Sequence, residues 1–316
     1  MVENTMTLPT PASAPPTSDA AVEVKGLSMK YGNRTVVDDI DFTIGRGEVV
    51  AVLGPNGAGK STTIEVLEGF RRPSAGRVSV LGCDPATADE QWRSRVGVVL
   101  QSWRDHGKWR VREFLDYTAA AHRAIGREPR DVDALVETVG LSGLEGRRID
   151  KLSGGQRRRV DVAVGVIGRP EVLFLDEPTS GFDPEVKLAF GRMIGDLAVG
   201  TTVILATHDL SEAQRLADRI VMLAGGRVVA YGTSEELRNK FARGVRVRWT
   251  SDGEARESIV DEEVPFVREL LTGPDCHRVA NLEVTHGSLE DVYMSIVRSQ
   301  QDAIADAAIQ EKGNLR

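Results

Sequence analysis

The chain has 316 residues, 40 basic and 47 acidic side chains, a formal charge of −7 and two cysteines. Two distant cysteines exclude a disulfide framework or a zinc cluster, and a hydrophobic share of 41% is typical of a globular chain with a sizeable core. No apolar run approaches the roughly 18 to 20 residues that cross a bilayer, and the start carries no secretory signal, so we expect no membrane span. The chain also lacks the excess of basic side chains that is typical of a nucleic-acid-binding protein.

The first segment of the chain is rich in proline. Four of the 13 prolines fall in residues 1–20, among serine, threonine and alanine, and we predict a disordered leader there. Residues 21–50 are predicted to form strands. Within them the segment 39–44 alternates polar and apolar side chains, which is typical of a half-buried strand, and Val49–Leu53 is the continuous apolar run of a buried parallel strand.

A glycine-rich loop follows this strand and matches the pattern G-x-x-x-x-G-K-[ST]. In such a loop backbone N–H groups converge on phosphate oxygens, the lysine reaches the β- and γ-phosphates, and the hydroxyl binds Mg²⁺. A glycine-rich turn with an incidental lysine is the alternative, but the preceding strand and the helix-compatible run after the loop favour a nucleotide site. The predicted nucleotide-binding residues here are Gly54, Pro55, Asn56, Gly57, Ala58, Gly59, Lys60, Ser61 and Thr62.

The middle of the chain alternates helical and strand patterns. We predict mainly helix over residues 107–150 and an α/β core over residues 152–232. One buried strand, Val172–Leu175, is followed by two acidic residues, Asp176 and Glu177. In a chain with a phosphate-binding loop, Asp176 is a candidate Mg²⁺ ligand and Glu177 a candidate general base for the attacking water. A polar cap on the strand is the alternative interpretation.

The segment Leu152–Gln156, with the sequence LSGGQ, resembles the signature motif of the ABC-type ATPases. Further motifs follow in the family's order, and the resemblance covers residues 21 to about 235. It implies that Tyr31 stacks on adenine, that Gln101 contacts Mg²⁺ and the water, and that His208 is the switch histidine facing the γ-phosphate. Taken alone, these side chains have plainer interpretations: a core-edge aromatic, a solvated glutamine and a satisfied histidine. The resemblance adds five nucleotide contacts, Ser153, Gly154, Gly155, Gln156 and, in the D-loop, Asp183.

The resemblance also implies an architecture, cofactors and a mechanism. The expected fold is an α/β P-loop NTPase core with a parallel sheet, an antiparallel β-subdomain, a helical signature subdomain and a small C-terminal α+β appendage. The cofactors are ATP and Mg²⁺, with Glu177 and His208 orienting water for in-line attack while Lys60 and Mg²⁺ neutralise the developing charge. In the family two ATPase subunits pack head to tail, and each signature loop covers the γ-phosphate held by the other. Because Glu177 and the signature motif are intact, we predict a homodimer.

The composition changes after residue 243, and we predict an ATPase domain over residues 21–243 and a small acidic domain over residues 244–316. The second segment holds 8 basic and 14 acidic side chains. Ser288–Tyr293 and Arg112–Leu115 are similar to segments of drug- and antibiotic-export ATPases of the daunorubicin-resistance type, although a generic amphipathic helix also accounts for the former. This similarity implies an exporter ATPase that works with polytopic membrane permease subunits at the cytoplasmic face of the membrane.

Two other classes of ABC ATPase stay open as alternatives. An importer ATPase carries the same motifs. A soluble ABC ATPase acting on nucleic acid or ribosomes is the runner-up, but the chain has one phosphate-binding loop and no heptad run, and we expect no nucleic-acid partner.

Several residues fall outside this pattern. Phe182 occupies a D-loop position that is usually leucine. Trp103 and Trp109 are hypothesised to form a docking groove for the membrane subunit, since exposed aromatic side chains anchor interfaces. Local packing against the helical subdomain is the alternative. The three consecutive arginines Arg157–Arg159 are predicted to form a solvated helix face.

Overall fold

We describe the protein from a computed structural model, which places residues 20–100, 106–197, 199–241, 245–260, 262–286, 289–290 and 293–294. The predicted leader lies outside these residues, except for Ala20. The chain divides into two compact units, residues 1–231 and 232–316, whereas the change in composition falls after residue 243. No helix within the described ranges combines the length and the apolar character that crossing a bilayer requires.

The first unit alternates strands and helices. In chain order these are β1 (Ala20–Tyr31), β2 (Arg34–Gly45), β3 (Val49–Leu53), α1 (Lys60–Leu67), β4 (Ala75–Val80), α2 (Glu90–Arg93), β5 (Val96–Val99), α3 (Val111–Ala124), α4 (Val132–Thr138), a 3₁₀ turn (Ile149–Lys151), α5 (Gly154–Ile167), β6 (Val172–Asp176), α6 (Pro184–Leu197), β7 (Thr202–Thr207), α7 (Leu210–Leu216), β8 (Arg219–Ala224) and β9 (Arg227–Gly232).

A six-stranded sheet with the spatial order β5-β6-β7-β3-β8-β9 lies at the centre of this unit. From β5 to β8 every neighbouring pair is parallel. The last strand follows β8 through Gly225 and Gly226, whose φ angles are both positive, as a two-residue hairpin turn requires. The parallel strands therefore end at one edge of the sheet, and the loops that follow them meet there.

The strands of the central sheet are buried on both faces, which explains their continuous apolar sequences. Along β6, Val172 and Phe174 enter one core cluster, and Leu173 and Leu175 enter the other. The first cluster includes α1 and a three-stranded antiparallel sheet of order β2-β1-β4, while the second includes α3 to α6. The parallel sheet thus lies between an antiparallel β-subdomain and a helical subdomain, and this confirms the predicted architecture.

Helix α5 begins at the signature motif. The Ser153 Oγ accepts a hydrogen bond from the Gln156 N–H at 3.3 Å, and the Gln156 side chain accepts one from the Ser153 N–H at 3.1 Å. This reciprocal capping box satisfies donors that the first helical turn leaves unpaired. Further along, the helix lies directly on β5, because a Cβ on Gly97 would be 2.2 Å from the carbonyl oxygen of Gly165.

The second unit is a small α+β domain, as predicted. Its elements are α8 (Ser234–Phe241), β10 (Val245–Ser251), β11 (Glu254–Val260), α9 (Glu263–Thr272), a 3₁₀ turn (Cys276–Arg278) and β12 (Val279–His286). The antiparallel sheet has the order β11-β10-β12. Trp249 of β10 contacts Phe266 of α9 edge to face, with ring centroids 5.8 Å apart. Of the predicted helix start Ser288–Tyr293, only Leu289, Glu290 and Tyr293 are described.

Candidate functional site

The loop between β3 and α1 has a shape that depends on glycine. Gly57 and Gly59 have φ angles of 81° and 100°, a region that side chains disfavour. A Cβ on Gly54 would lie 2.4 Å from the Leu223 carbonyl oxygen, and one on Gly59 would lie 2.9 Å from the Val36 carbonyl oxygen. The loop is therefore pressed against the backbones of β8 and β2, and α1 starts at its end. Backbone N–H groups at such a helix start attract phosphate.

Lys60, the first residue of α1, is buried at the mouth of this loop. Its Nζ donates to the carbonyl oxygens of Gly54 at 2.9 Å and Pro55 at 3.3 Å, and it lies 3.6 Å from Glu177 Oε1. Burial lowers the pKa of Lys60, and the negative charges of Glu177 and Asp176 oppose that shift. The lysine thus links the phosphate-binding loop to the acidic end of β6.

Asp176 and Ser61 present two oxygen donors on facing elements. The Ser61 hydroxyl donates to Asp176 Oδ1 at 3.4 Å. Burial raises the pKa of Asp176, with the hydrogen bond from Ser61 opposing the shift and the charge of Glu177 adding to it. A hydroxyl and a carboxylate at this spacing suit Mg²⁺, which takes few protein ligands beside substrate phosphates. Within the described residues no denser cluster of metal-binding side chains occurs.

Glu177 adopts an unusual backbone conformation at the end of β6. Its φ angle is 43°, in the left-handed region, and its N–H donates to the Ala206 carbonyl oxygen at 2.9 Å. The carboxylate consequently lies between two basic groups, with Oε1 3.3 Å from His208 Nδ1 and 3.6 Å from Lys60 Nζ. Such strained residues cluster at functional sites. The arrangement places a carboxylate and an imidazole side by side at the loop where phosphate would lie.

A cavity of about 710 Å³ is lined by Lys60, Ser61, Glu177 and His208, but not by Asp176. Tyr31 also lines this cavity, and the Arg71 guanidinium lies 5.3 Å from the centroid of its ring. The predicted site residues that line the cavity are Tyr31, Asn56, Gly57, Gly59, Lys60, Ser61, Thr62, Glu177 and His208, and Arg34, Val36, Glu65, Arg71 and Ser180 join them. The members of this second group were not predicted from the sequence.

The remaining predicted site residues lie elsewhere. None of the four signature residues Ser153–Gln156 lines the cavity; they form the start of α5. Asp183 directly precedes α6, where its carbonyl oxygen accepts the Lys187 N–H at 2.9 Å. Gly54, Pro55 and Ala58 shape the loop itself, and the Ala58 N–H donates to the Pro55 carbonyl oxygen at 3.1 Å. Gln101 and Trp103 lie outside the described residues.

Phe182, the unusual D-loop residue, packs without conflict. Its ring makes an edge-to-face contact with Phe190 of α6, with centroids 5.7 Å apart. A Cβ on Gly155 would lie 4.0 Å from the same ring. The larger aromatic side chain is therefore accommodated between α6 and the start of α5.

The prediction of a solvated face for the three arginines is wrong for Arg158. Its side chain is buried and donates to three backbone carbonyl oxygens, those of Leu100, Asp176 and Pro178. Arg159 also donates to a backbone carbonyl oxygen, that of Val139, at 2.9 Å. The helical pattern of α5 does not reveal which arginine turns inward, and no signal in the motif identifies it.

A second group that the sequence analysis missed joins the loops after β6 and β7. Glu212 is buried, and its carboxylate accepts hydrogen bonds from Thr179 at 2.7 Å and from Thr207 at 2.6 Å. Thr179 precedes the D-loop, and Thr207 precedes His208. The Thr207 hydroxyl also accepts the Asp209 N–H at 3.0 Å. This network fixes the backbone on both sides of the histidine.

The position of Trp109 favours local packing against the helical subdomain over a docking groove. Its half-buried ring packs against the helical core, with edge-to-face contacts to Phe114 at 6.0 Å and Tyr117 at 5.2 Å between centroids. These contacts give the Trp109 side chain a structural role in the helical subdomain.

Comparisons with known proteins agree with this geometry. Residues 37–180 match the family described as ABC transporter. The daunorubicin resistance ATP-binding protein DrrA3 of Streptomyces coeruleorubidus is 40% identical over 223 residues, which are 70% of this chain and 71% of that protein. A fluoroquinolones export ATP-binding protein of Mycobacterium tuberculosis is 33% identical over 88% of this chain and 94% of its own length.

The structural comparison gives the same family. A solved ATP-binding subunit of an ABC transporter superposes with a TM-score of 0.62 and 30% sequence identity, and it covers 70% of this chain and 93% of its own. The protein cbiO1 of Clostridium perfringens, part of the ABC transporter complex cbiONQ, superposes with a TM-score of 0.60 at 28% identity, covering 70% of this chain and 94% of its own. This chain is a member of the ABC transporter family, among its ATP-binding proteins, and is an ATPase.

Proposed function

We propose that the chain is the ATP-hydrolysing subunit of an exporter and drives a drug or another small molecule through separate membrane subunits. The observation that carries the proposal is the convergence of Lys60, Glu177 and His208 in one cavity beside the phosphate-binding loop. Relatives that are named for drug resistance or for export support the transport direction.

Each group at the proposed site has a task in hydrolysis. The loop N–H groups and Lys60 hold the phosphates, and Ser61 with Asp176 would hold Mg²⁺. Bound Mg²⁺ would neutralise charge on the phosphate oxygens. Glu177 orients the attacking water and takes its proton, and His208, 3.3 Å away, keeps the carboxylate in place. Tyr31, which lines the same cavity, is the proposed adenine contact.

We further propose that the working unit is a head-to-tail homodimer. The start of α5 carries the positive end of the helix dipole, which suits an anion, yet the signature residues do not line their own chain's cavity. A second copy would bring its signature loop over the phosphates, with Asp183 near the contact. Hydrolysis then removes the γ-phosphate that holds the two copies together.

The membrane subunits are proposed to dock on the apolar groove beside β5. A cavity of about 320 Å³ there is lined by side chains of β5, α3 and α5, with Leu100 and His122 at its wall and Phe70 at its rim. Burial lowers the pKa of His122, so this wall stays uncharged at neutral pH. Binding here would hold the chain at the cytoplasmic face of the membrane as a peripheral subunit.

Glu177→Gln tests the catalytic part of the proposal. The amide cannot take a proton, so we expect ATP turnover to fall by about 100-fold or more while ATP still binds and the variant collects as a dimer. Phosphate release and size-exclusion chromatography with ATP measure the two effects. Glu137→Gln, on the exposed side of α4, is the matched control. Turnover near the wild-type rate in Glu177→Gln would remove Glu177 as the base.

Purification from membranes tests the transport part. We expect the chain to copurify with a polytopic membrane protein, and Phe70→Asp to lose that partner while Ile125→Asp, equally apolar at the surface but outside the groove, keeps it. Stimulation of the ATPase by nucleic acid or ribosomes, with no membrane partner, would instead support the soluble class.

A further inference from the structure

Arg158 is a buried cation whose described hydrogen-bond partners are all backbone carbonyl oxygens. The side chain is on the second turn of α5 and only 7% exposed. Its Nε donates to the Pro178 carbonyl oxygen at 3.0 Å, its Nη2 to that of Asp176 at 2.9 Å, and its Nη1 to that of Leu100. One guanidinium therefore joins three chain segments from two subdomains.

The three carbonyl groups lie at functionally important points. Asp176 and Pro178 are the two neighbours of Glu177 in the sequence, so Arg158 holds the peptide group that precedes the proposed base and the one that follows Pro178. Leu100 follows β5 and directly precedes Gln101 in the sequence. The base itself has a left-handed φ of 43°, and its N–H is bonded to the Ala206 carbonyl oxygen. A strained residue of this kind keeps its conformation only where its surroundings hold it.

Burying this charge is costly. Burial lowers the pKa of Arg158, with the charges of Asp161, Asp176 and Glu212 opposing the shift. The cost of burying an arginine is smaller when its N–H groups are hydrogen-bonded, and the planar guanidinium can donate to three acceptors in one fixed geometry. Neither lysine nor glutamine reproduces that fork. The position thus requires arginine for its hydrogen bonds and not for its charge alone.

The same helix carries the signature motif. Arg158 comes five positions after Ser153, which is about 7.5 Å along a rigid helix. Helix α5 is also pressed against β5, with Gly165 in direct backbone contact with Gly97. A force on the start of α5 is therefore passed through a stiff element to the ends of β5 and β6.

We propose that Arg158 is a positioning residue for ATP hydrolysis, which couples the signature end of α5 to the backbone around Glu177. The inference rests on the proposed head-to-tail dimer, in which the second copy's phosphates engage that signature end. When they do, the displacement of α5 sets the positions of the Asp176 and Pro178 carbonyl groups, and through them the direction of the Glu177 carboxylate. ATP binding needs no such adjustment, because the phosphate-binding loop does not contact Arg158.

Variants at Arg158 and its neighbour separate positioning from general support. Arg158→Gln and Arg158→Lys remove the forked hydrogen bonds of the guanidinium. Arg159→Gln is the control, because Arg159 lies on the same helix as Arg158 but donates to the Val139 carbonyl oxygen at the end of α4, so its loss leaves the surroundings of Glu177 unchanged. We expect kcat to fall about 10- to 100-fold in Arg158→Gln, less in Arg158→Lys and less than about twofold in Arg159→Gln, with KM for ATP within about threefold of wild type throughout.

Two further measurements make the outcome decisive. In a Glu177→Gln background, Arg158→Gln is expected to form the ATP-dependent dimer, because closure does not require the base to be aligned. Thermal unfolding of every variant reports stability. A kcat within twofold of wild type in Arg158→Gln overturns the proposal. The proposal also fails if Arg158→Gln and Arg159→Gln lose kcat in the same proportion to their loss of stability. If Glu177→Gln itself forms no dimer, the dimer proposal fails, while the kcat and KM of the single variants still decide the role of Arg158.

Discussion

Glu68 offers a prediction whose size follows from the structure. It caps the end of α1 and is 7% exposed, and among the residues that the structure describes neither of its carboxylate oxygens has a hydrogen-bond partner. Burial raises its pKa from 4.5 to about 8, and the negative charges of Asp176 and Glu65 add to the shift. The folded chain therefore carries a protonated, neutral Glu68 at pH 7, whereas the unfolded chain carries it as a carboxylate.

The direction of the pH dependence follows from this difference. Between about pH 4.5 and 8 the folded state binds a proton that the unfolded state has lost, so the contribution of Glu68 to the free energy of unfolding falls as pH rises, and it is constant above pH 8. At about 1.4 kcal/mol per pKa unit the full difference is at most about 5 kcal/mol. Water entry and local relaxation reduce such penalties, and we expect about 2–4 kcal/mol.

Glu68→Gln removes the ionisation and keeps the shape. Any cost of burying the amide is the same at all pH values, so the test is the change in the free energy of unfolding between pH 5 and pH 9. Urea unfolding measures this free energy, with tryptophan fluorescence, to which buried Trp92 contributes, as the signal. We expect Glu68→Gln to gain about 2–4 kcal/mol relative to wild type over that range, while Glu137→Gln gains less than about 0.5 kcal/mol. Equal pH dependence in Glu68→Gln and wild type would refute the reasoning.

Two further substitutions test the geometry of the site. Gly59→Ala places a Cβ 2.9 Å from a backbone oxygen at a φ of 100°, so we expect ATP affinity, measured by titration calorimetry, to fall by at least about tenfold; unchanged affinity would show that the loop can relax. Glu212→Ala leaves two buried threonine hydroxyls without their acceptor, so we expect a loss of about 2–4 kcal/mol in urea unfolding and a lower kcat; wild-type stability would show that water replaces the carboxylate.

Much of the fold could be predicted because its signals are local. The apolar run Val49–Leu53 indicates a strand buried on both faces, and the structure places it in the middle of the parallel sheet. Ser153 and Gln156 stand three residues apart before a helical stretch, and this spacing is the local sequence pattern of the observed capping box. The acidic pair after Val172–Leu175 predicts carboxylates at the edge where parallel strands end, and there they face Lys60.

The remaining features depend on packing between distant segments. Three consecutive arginines on α5 occupy three different faces of the helix, and only the positions of β5 and β6 decide that Arg158 turns inward. Glu68 follows the phosphate-binding helix like any polar C-terminal residue, and its burial is set by the strands around α1. The left-handed backbone of Glu177 has no sequence signal either, since glutamate does not prefer that region. Each of these features is an exception to a local rule and lies near the site.

Mixing two inactive variants tests the central claim, that the site needs a signature loop from a second copy. Lys60→Ala disables the phosphate-binding loop, and Gly154→Asp puts a negative charge at the signature, where in the described chain a Cβ would meet no atom within 4 Å. Each variant alone is expected to be inactive, and Gly154→Asp is expected still to bind ATP.

In a mixed head-to-tail dimer, the intact loop of one copy meets the intact signature of the other. If the copies pair at random, half of the dimers are mixed and each has one complete site, so an equal mixture should recover about a quarter of the wild-type ATPase rate. No recovery on mixing, or full activity of Gly154→Asp alone, would contradict the account.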